Sequence, residues 1–176
     1  MSKLQLLTKD LILRTVVAHD IDEVSRTWAT PDRLTRQQAH DIIKYMENTR
    51  RLNKEKEIYH LCLAVFRKKD PQKIIGWCGL DGKTDTDQTS IFYRIEEKQR
   101  NKGYATQCAQ ELLKYAFIDM DYDVITGACV DTNIASYKVM MNAGMRQVGE
   151  TDEGNYLFEI NRKDFFGEDD PNREED

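Results

Sequence analysis

Hydrophobic and polar positions alternate along this chain with two periods, and the change from one to the other marks its elements. The clearest helical period runs through Ala105, Cys108, Ala109, Leu112, Leu113 and Ala116, a single apolar stripe on one helix face. Just before it, Ser90-Ile91-Phe92-Tyr93-Arg94-Ile95-Glu96 is short, β-branched and aromatic, the pattern of a strand. Two earlier runs, 59–66 and 73–80, have the same character. Polar turns at 68–72 and 81–87 join them to it, which predicts an antiparallel meander. The striped helix then serves as a crossover to a strand over 123–130, expected to run parallel to the third meander strand. A helix over 133–143 ends at Gly144, and two closing strands, 145–150 and 155–160, flank the turn 151–154.

Upstream, Leu4-Gln5-Leu6-Leu7 and Leu11-Ile12-Leu13-Arg14 read as a bent first strand or two short ones. A helix is predicted from Asp20 to about Trp28, with Asp20 as N-cap and Glu23 in the capping-box position. Thr30-Pro31-Asp32 breaks the chain. A second helix starts near Thr35, with Ala39, Ile42, Ile43 and Met46 on one face, and fades into a charged run at 50–57. The expected architecture is α/β: a mostly antiparallel sheet with one parallel strand pair, flanked by about four helices. Residues 1–166 form a single domain, and 167–176 form an acidic tail that reads as disordered.

Composition changes this picture little. The 176 residues suffice for a self-supporting core, and 40% hydrophobic with 32% charged content fits a globular protein. There is no apolar run near 18 residues and no signal-peptide pattern at Met1-Ser2-Lys3-Leu4-Gln5, so a cytoplasmic protein without membrane association is expected. The net charge of −5 is misleading, because the last nine residues hold six acids and one arginine. The body is therefore balanced at 25 basic and 25 acidic residues, which argues against a nucleic-acid partner. Cys62, Cys78, Cys108 and Cys129 show no Cys-x-x-Cys spacing and lie in apolar segments, so buried thiols are expected rather than disulfides or a metal.

The chemistry concentrates where strand gives way to striped helix, at Gln99-Arg100-Asn101-Lys102-Gly103-Tyr104-Ala105-Thr106. A helix N-terminus offers unpaired N–H groups and the positive end of the macrodipole, and Gly103 removes a Cβ from the path of an approaching phosphate. Arg100 and Lys102 beside that end are unfavourable unless an anion joins them. The triphosphate P-loop pattern and the Gly-x-Gly-x-x-Gly fingerprint are both missing. Arg100-Asn101-Lys102-Gly103-Tyr104-Ala105 instead resembles the Arg/Gln-x-x-Gly-x-Gly/Ala signature of the GNAT N-acetyltransferases. Asn101 stands where many relatives have a second glycine, and Asn tolerates left-handed backbone angles. The segment from Asn133 to Met145 is similar to the Asn-x-x-Ala/Ser…Gly-Phe stretch of the same family. The opening Leu11-Ile12-Leu13-Arg14 with its acidic helix start is similar to the branch of the ribosomal-protein N-terminal acetyltransferases. The element order agrees over roughly residues 3–163.

The resemblance implies acetyl-CoA as cosubstrate, an amine as acceptor and direct transfer in a ternary complex; a monomer or homodimer is expected. It places pyrophosphate on the amides of 102–106 and pantetheine in a gap between two splayed strands, against the backbone of Tyr93, Arg94 and Ile95. Asn133 is either a plain N-cap or also a partner of the pantetheine arm. The tyrosine that many relatives use to protonate the departing thiolate is Met140 here, which leaves Ser136, or its neighbour Tyr137 about 100° round the helix, as proton donor. A base carboxylate that relatives carry near the start of the third meander strand is replaced by Thr89-Ser90. Asp131 and Glu159 are the remaining acids near the site, and Glu159 alternates with Phe158 as a solvent-facing residue would. Trp28, Arg33, Tyr45, Trp77 and Tyr156 are candidate lining of the acceptor site. An acyl-CoA-binding sensor without catalysis is the alternative function, on the strength of Met140 and Ser90.

Overall fold

Alternating apolar residues build the sheet, and the striped segments cover both its faces. The computed structural model describes residues 3–29, 31–82, 88–167 and 170–171. Thr30, the tip of the 81–87 turn (83–87) and most of the acidic tail (168, 169 and 172–176) lie outside the described residues. Eight strands form one sheet in the order β1-β2-β3-β4-β5-β6-β8-β7. They are β1 (Gln5–Leu7), β2 (Leu11–Arg14), β3 (His60–Arg67), β4 (Asp70–Asp81), β5 (Ser90–Ile95), β6 (Val124–Cys129), β7 (Arg146–Glu150) and β8 (Tyr156–Asn161). The helices are α1 (Ile21–Thr27), α2 (Arg36–Arg51), α3 (Tyr104–Ile118), α4 (Ile134–Asn142) and α5 (Arg162–Phe166). All strand pairs are antiparallel except β5–β6.

The sheet separates two cores. On one side the α3 stripe residues Cys108, Ala109, Leu112, Leu113 and Ala116 pack with Leu63, Ile91, Ile125 and Phe158. On the other, Val24 of α1 and Ala39 and Met46 of α2 pack with Phe66, Ile74 and Trp77. The four cysteines are free and buried. Burial pushes the Cys62 thiol up to about 12, as desolvation of a thiolate requires.

Three local expectations change. Asp20 does not cap α1 through its side chain. Its carboxylate accepts from Val17 N–H at 2.8 Å and from both terminal nitrogens of Arg14 at 2.8 Å, clamping β2 to the short 3-10 turn Ala18–Asp20. Glu23 closes no capping box. It accepts from Arg26 and from Ile74 N–H, tying α1 to β4. A fifth helix, α5, follows β8, capped by Asn161, whose side chain accepts from Asp164 N–H at 2.7 Å. Thr35 does cap α2, through a reciprocal pair with Gln38.

The first turn of α3 is fixed in place by a polar clasp. Gln107 accepts from Thr8 Oγ1 at 2.7 Å and Asp10 N–H at 3.1 Å, and donates to the Asp10 carboxylate at 2.8 Å. The start of α3 is thereby held to the β1–β2 turn.

Candidate active site

β5 and β6 touch at one point and then separate. The single register pair is Ser90↔Thr126, with Thr126 N–H donating to Thr89 carbonyl at 3.0 Å. Glu96 N–H donates to Ile75 carbonyl on the opposite edge of β5. Backbone direction alternates along a strand, so Ile91, Tyr93 and Ile95 aim their main chain at the gap. Past the contact, among the described residues, the amides of Tyr93 and Ile95 have no strand to pair with. Arg94 lies in the other phase, its main chain paired with Trp77 of β4. Its side chain donates to the carbonyls of Thr27 and Trp28. Of the three β5 residues expected to offer backbone to pantetheine, the structure turns two toward the gap and Arg94 away from it.

A cavity of about 330 Å³ fills the gap, bounded by Tyr93 on β5, Ala128 and Cys129 on β6, and Asn133, Ser136 and Met140 of α4. Gly127 lets the strand and helix approach: a Cβ there would lie 3.2 Å from the side chains of Ile91 and Met140. Asn133 is the N-cap of α4, its side chain accepting from Ser136 N–H at 3.1 Å, and it also borders the cavity. Ser136 Oγ is 2.9 Å from the Tyr93 hydroxyl, which also donates to the Ser136 carbonyl at 3.1 Å. Burial pushes the Tyr93 phenol up to about 12, partly offset by the Ser136 hydrogen bond, so it stays a neutral hydroxyl. This contact is invisible in the sequence, where Tyr93 was notable only for its backbone.

Tyr137 points elsewhere. Its ring packs edge-on to Tyr156 and Phe158, and its hydroxyl donates to Gln147 at 3.4 Å. Glu159 pairs with Arg146 at 3.3 Å on the β7–β8 hairpin. Asp131 is exposed beyond the end of β6.

The loop from β5 to α3 turns on two left-handed residues. Asn101 (φ 59°) and Gly103 (φ 74°) are both left-handed, and Gly103 is the N-cap of α3. A Cβ on Gly103 would meet nothing within 4 Å, so its backbone angle and not crowding calls for glycine. The first intrahelical bond runs from Gln107 N–H to Gly103 carbonyl at 3.0 Å, which leaves the amides of Gly103, Tyr104, Ala105 and Thr106 without helical acceptors. Gly103 has no side chain to cap them, and no acid lies in the first turn. Arg100 braces the loop by donating to Ile95 carbonyl at 3.1 Å, and Lys102 donates to Gln99 Oε1 at 3.0 Å.

On the opposite face, where the α1–α2 connection meets β4 and β5, a cavity of about 500 Å³ is bordered by Thr27, Lys73, Trp77, Arg94 and Arg100. Of the candidate acceptor-site residues, Trp77 borders this space. Trp28 packs edge-on to it at 4.9 Å, Tyr45 and Arg33 are exposed, and Tyr156 packs on Tyr137. Among the described residues no group of three or more His, Cys, Asp or Glu side chains comes together as a metal site, and no helix is long and apolar enough to cross a membrane.

Comparison with known proteins gives four findings. The acetyltransferase (GNAT) domain family matches residues 10–146. The uncharacterized N-acetyltransferase YnaD of Bacillus subtilis is 46% identical over 59 residues, 34% of this chain and 35% of that protein, so the matched part spans about a third of that relative. The uncharacterized N-acetyltransferase p20 of Bacillus licheniformis is 22% identical over 182 aligned positions, covering 92% of this chain and 98% of the relative. Among solved structures, a ribosomal L7/L12 alpha-N-protein acetyltransferase in complex with coenzyme A superposes with a TM-score of 0.69 at 12% identity, covering 90% of this chain and 98% of that one. At that identity the likeness speaks for the fold.

Proposed function

Because this chain belongs to the GNAT acetyltransferase family, we propose that it transfers an acetyl group from acetyl-CoA directly to a primary amine, either a protein N-terminus or a small-molecule amine. The observation that carries the reading is the β5–β6 gap. One cavity brings together unpaired strand amides, the Asn133 cap and the Ser136–Tyr93 hydroxyl pair, with an uncapped helix N-terminus where β5 ends.

The parts divide the labour. The amides at 103–106 and the cations Arg100 and Lys102 hold the pyrophosphate. The amides of Tyr93 and Ile95 pair with the pantetheine arm as an added strand would, and the Asn133 side chain lies beside it. The amine nitrogen bonds to the thioester carbonyl carbon, the C–S bond breaks, and the thiolate takes a proton from the hydroxyl at Ser136, which regains one from the amine nitrogen, so that one of the amine's protons ends on the thiol. Tyr93, kept neutral by burial, gives Ser136 a fixed partner. Most of the rate gain in such a site comes from alignment and from donors already in place.

Calorimetric titration with acetyl-CoA and CoA tests the reading, followed by assay on a panel holding spermidine and N-terminal peptides. Micromolar binding to both, with thiol release on at least one amine, is expected. The Gly103→Asp variant should bind neither, since it sets a carboxylate against the pyrophosphate. Binding without turnover on any amine would favour the sensor instead. Equal affinity in the variant would sink the loop assignment.

A further inference from the structure

The transfer reaction leaves one proton unaccounted for. An amine that arrives as an ammonium must shed two protons to become an amide; the thiolate takes one, and the other has to leave through a base. The closing-strand carboxylate Glu159 is paired with Arg146, and β5 offers Ser90 where a carboxylate would serve.

A third cavity, about 340 Å³, is bordered by His60, Asp81, Ser90, Ile91 and Phe92. Ile91 and Phe92 also border the cavity between β5 and β6, so the two spaces meet across two residues of one strand. The sheet register sets His60 of β3 opposite Asp81 of β4, and Asp81 opposite Ser90 of β5. His60 Nδ1 lies 3.6 Å from Asp81 Oδ1, an ion-pair distance that can tighten into a hydrogen bond when a ligand closes the site. The imidazole lies flat on the Phe92 ring, centroids 5.7 Å apart and planes 7° from parallel. Gly79 lies beside the stack: a Cβ there would come within 1.8 Å of the Leu61 carbonyl oxygen and 2.6 Å of Phe92 Cζ. Asn53 secures the main chain, accepting from His60 N–H at 3.0 Å and donating to its carbonyl at 3.0 Å.

Packing alone accounts for the ring stack. It does not account for a carboxylate facing Nδ1, or for the cavity that the ring borders. A carboxylate at Nδ1 favours the tautomer with the proton there and a lone pair at Nε2. Among the described residues no hydrogen bond is made by Nε2.

We propose that His60 is the general base of the transfer and that Asp81 is its positioning residue; the proposal rests on the acetyltransferase reading above. Nε2 takes the proton that the amine loses, and the imidazolium returns it to solvent after the amide leaves. One proton is then released for each acetyl group moved. The groups near the ring are the Asp81 carboxylate from β4, Ser90 of β5, which borders the same cavity and donates to the Thr126 carbonyl at 3.4 Å, and the Tyr45 phenol from α2 (ring centroids 6.4 Å away), with the Cys62 thiol two positions further along β3. The Arg94 guanidinium on β5 acts on that same thiol.

The test uses the full chain with His60→Ala, His60→Gln and Asp81→Asn. Acetyl-CoA affinity is measured by calorimetry, and kcat and kcat/KM against pH with the best amine of the panel. Both His60 variants should bind acetyl-CoA as the wild type does and lose about 10²-fold in kcat. The part of the wild-type fall in kcat/KM on acidification that comes from the base should be missing from both. Free imidazole should restore turnover to His60→Ala, with saturation. Asp81→Asn should show an intermediate loss and keep the acid limb. Wild-type kcat in the His60 variants, or a loss that imidazole does not rescue with the acid limb intact, would overturn the assignment of His60 alone. A wild type that binds no acetyl-CoA, or transfers to none of the amines, would overturn the acetyltransferase reading and His60 with it.

Discussion

Single residues in this protein divide into those whose role follows from local rules and those whose role needs a distant partner. Asn101 and Gly103 belong to the first kind: both residue types accept positive φ, and both adopt it. Ser136 and Tyr93 belong to the second. They lie 43 positions apart, and no pattern in the sequence says that a β5 phenol meets the first turn of α4. The pairing supports an experiment. Ser136→Ala removes the hydroxyl beside the departing thiolate and should lower kcat by about 10²-fold while sparing acetyl-CoA affinity. Tyr93→Phe keeps the ring and removes only the partner of Ser136, so its loss should be smaller and again confined to kcat. Tyr93 stays neutral up to about 12, so its removal should leave no mark on the alkaline limb of the pH profile below pH 10. Steady-state kinetics of the two variants decides this, and a drop in acetyl-CoA affinity for either would move both residues from catalysis to structure.

Elements were legible where a period was long and less so where charges could choose partners. The stripe on α3 and the meander of β3, β4 and β5 emerge within a few residues of their expected bounds. The five-residue α5 is too short to show a period, although Asn161 and Asp164 carry its cap. Asp20 and Glu23 had the spacing of a capping box, yet Arg14 and Arg26 lie close enough to take them. The Arg14 guanidinium of β2 for Asp20, and Arg26 one turn along α1 with the Ile74 N–H of β4 for Glu23, outcompeted a local cap. The Asp20 case has a pH consequence. Burial by itself would raise this carboxyl, but the Arg14 hydrogen bonds, the Val17 N–H and the Arg14 charge more than offset it, and it sits below its ordinary value of 3.8. A depressed folded pKa gives stability that is fully present above the unfolded value and is lost as pH falls through the folded one. Asp20→Asn should therefore cost about 2 kcal/mol at neutral pH and much less near pH 2. Urea unfolding of both proteins across about pH 2 to 7 checks it; a pH-independent difference would mean that the carboxylate charge is not what joins β2 to the 3-10 turn.

At the scale of the whole molecule, the gap divides the sheet into two bodies. Strands β1 to β5 form a continuous antiparallel ladder, and β6, β8 and β7 form another. Between them stands one parallel pair, Ser90↔Thr126, backed by the shared α3 core. A sequence pattern can predict that two strands are parallel neighbours, but not that they part after one pair, because both read as ordinary buried strands. The parting leaves strand amides for a ligand to use. If acetyl-CoA lies in the gap, it supplies the missing pairing on β5 and joins the two ladders. Hydrogen exchange should then show a localised response. The amides of Tyr93 and Ile95, and those of Gly103 to Thr106, should exchange quickly in the free protein and slow by about tenfold or more at saturating acetyl-CoA, while amides inside the β3–β4 ladder change little. Protection spread evenly over the molecule would indicate general stabilisation on binding somewhere else. Protection at 103–106 without Tyr93 and Ile95 would place the phosphates on the loop and the acyl arm outside the gap, and the cavity that holds Ser136 would then lose its claim to be where the acetyl group moves.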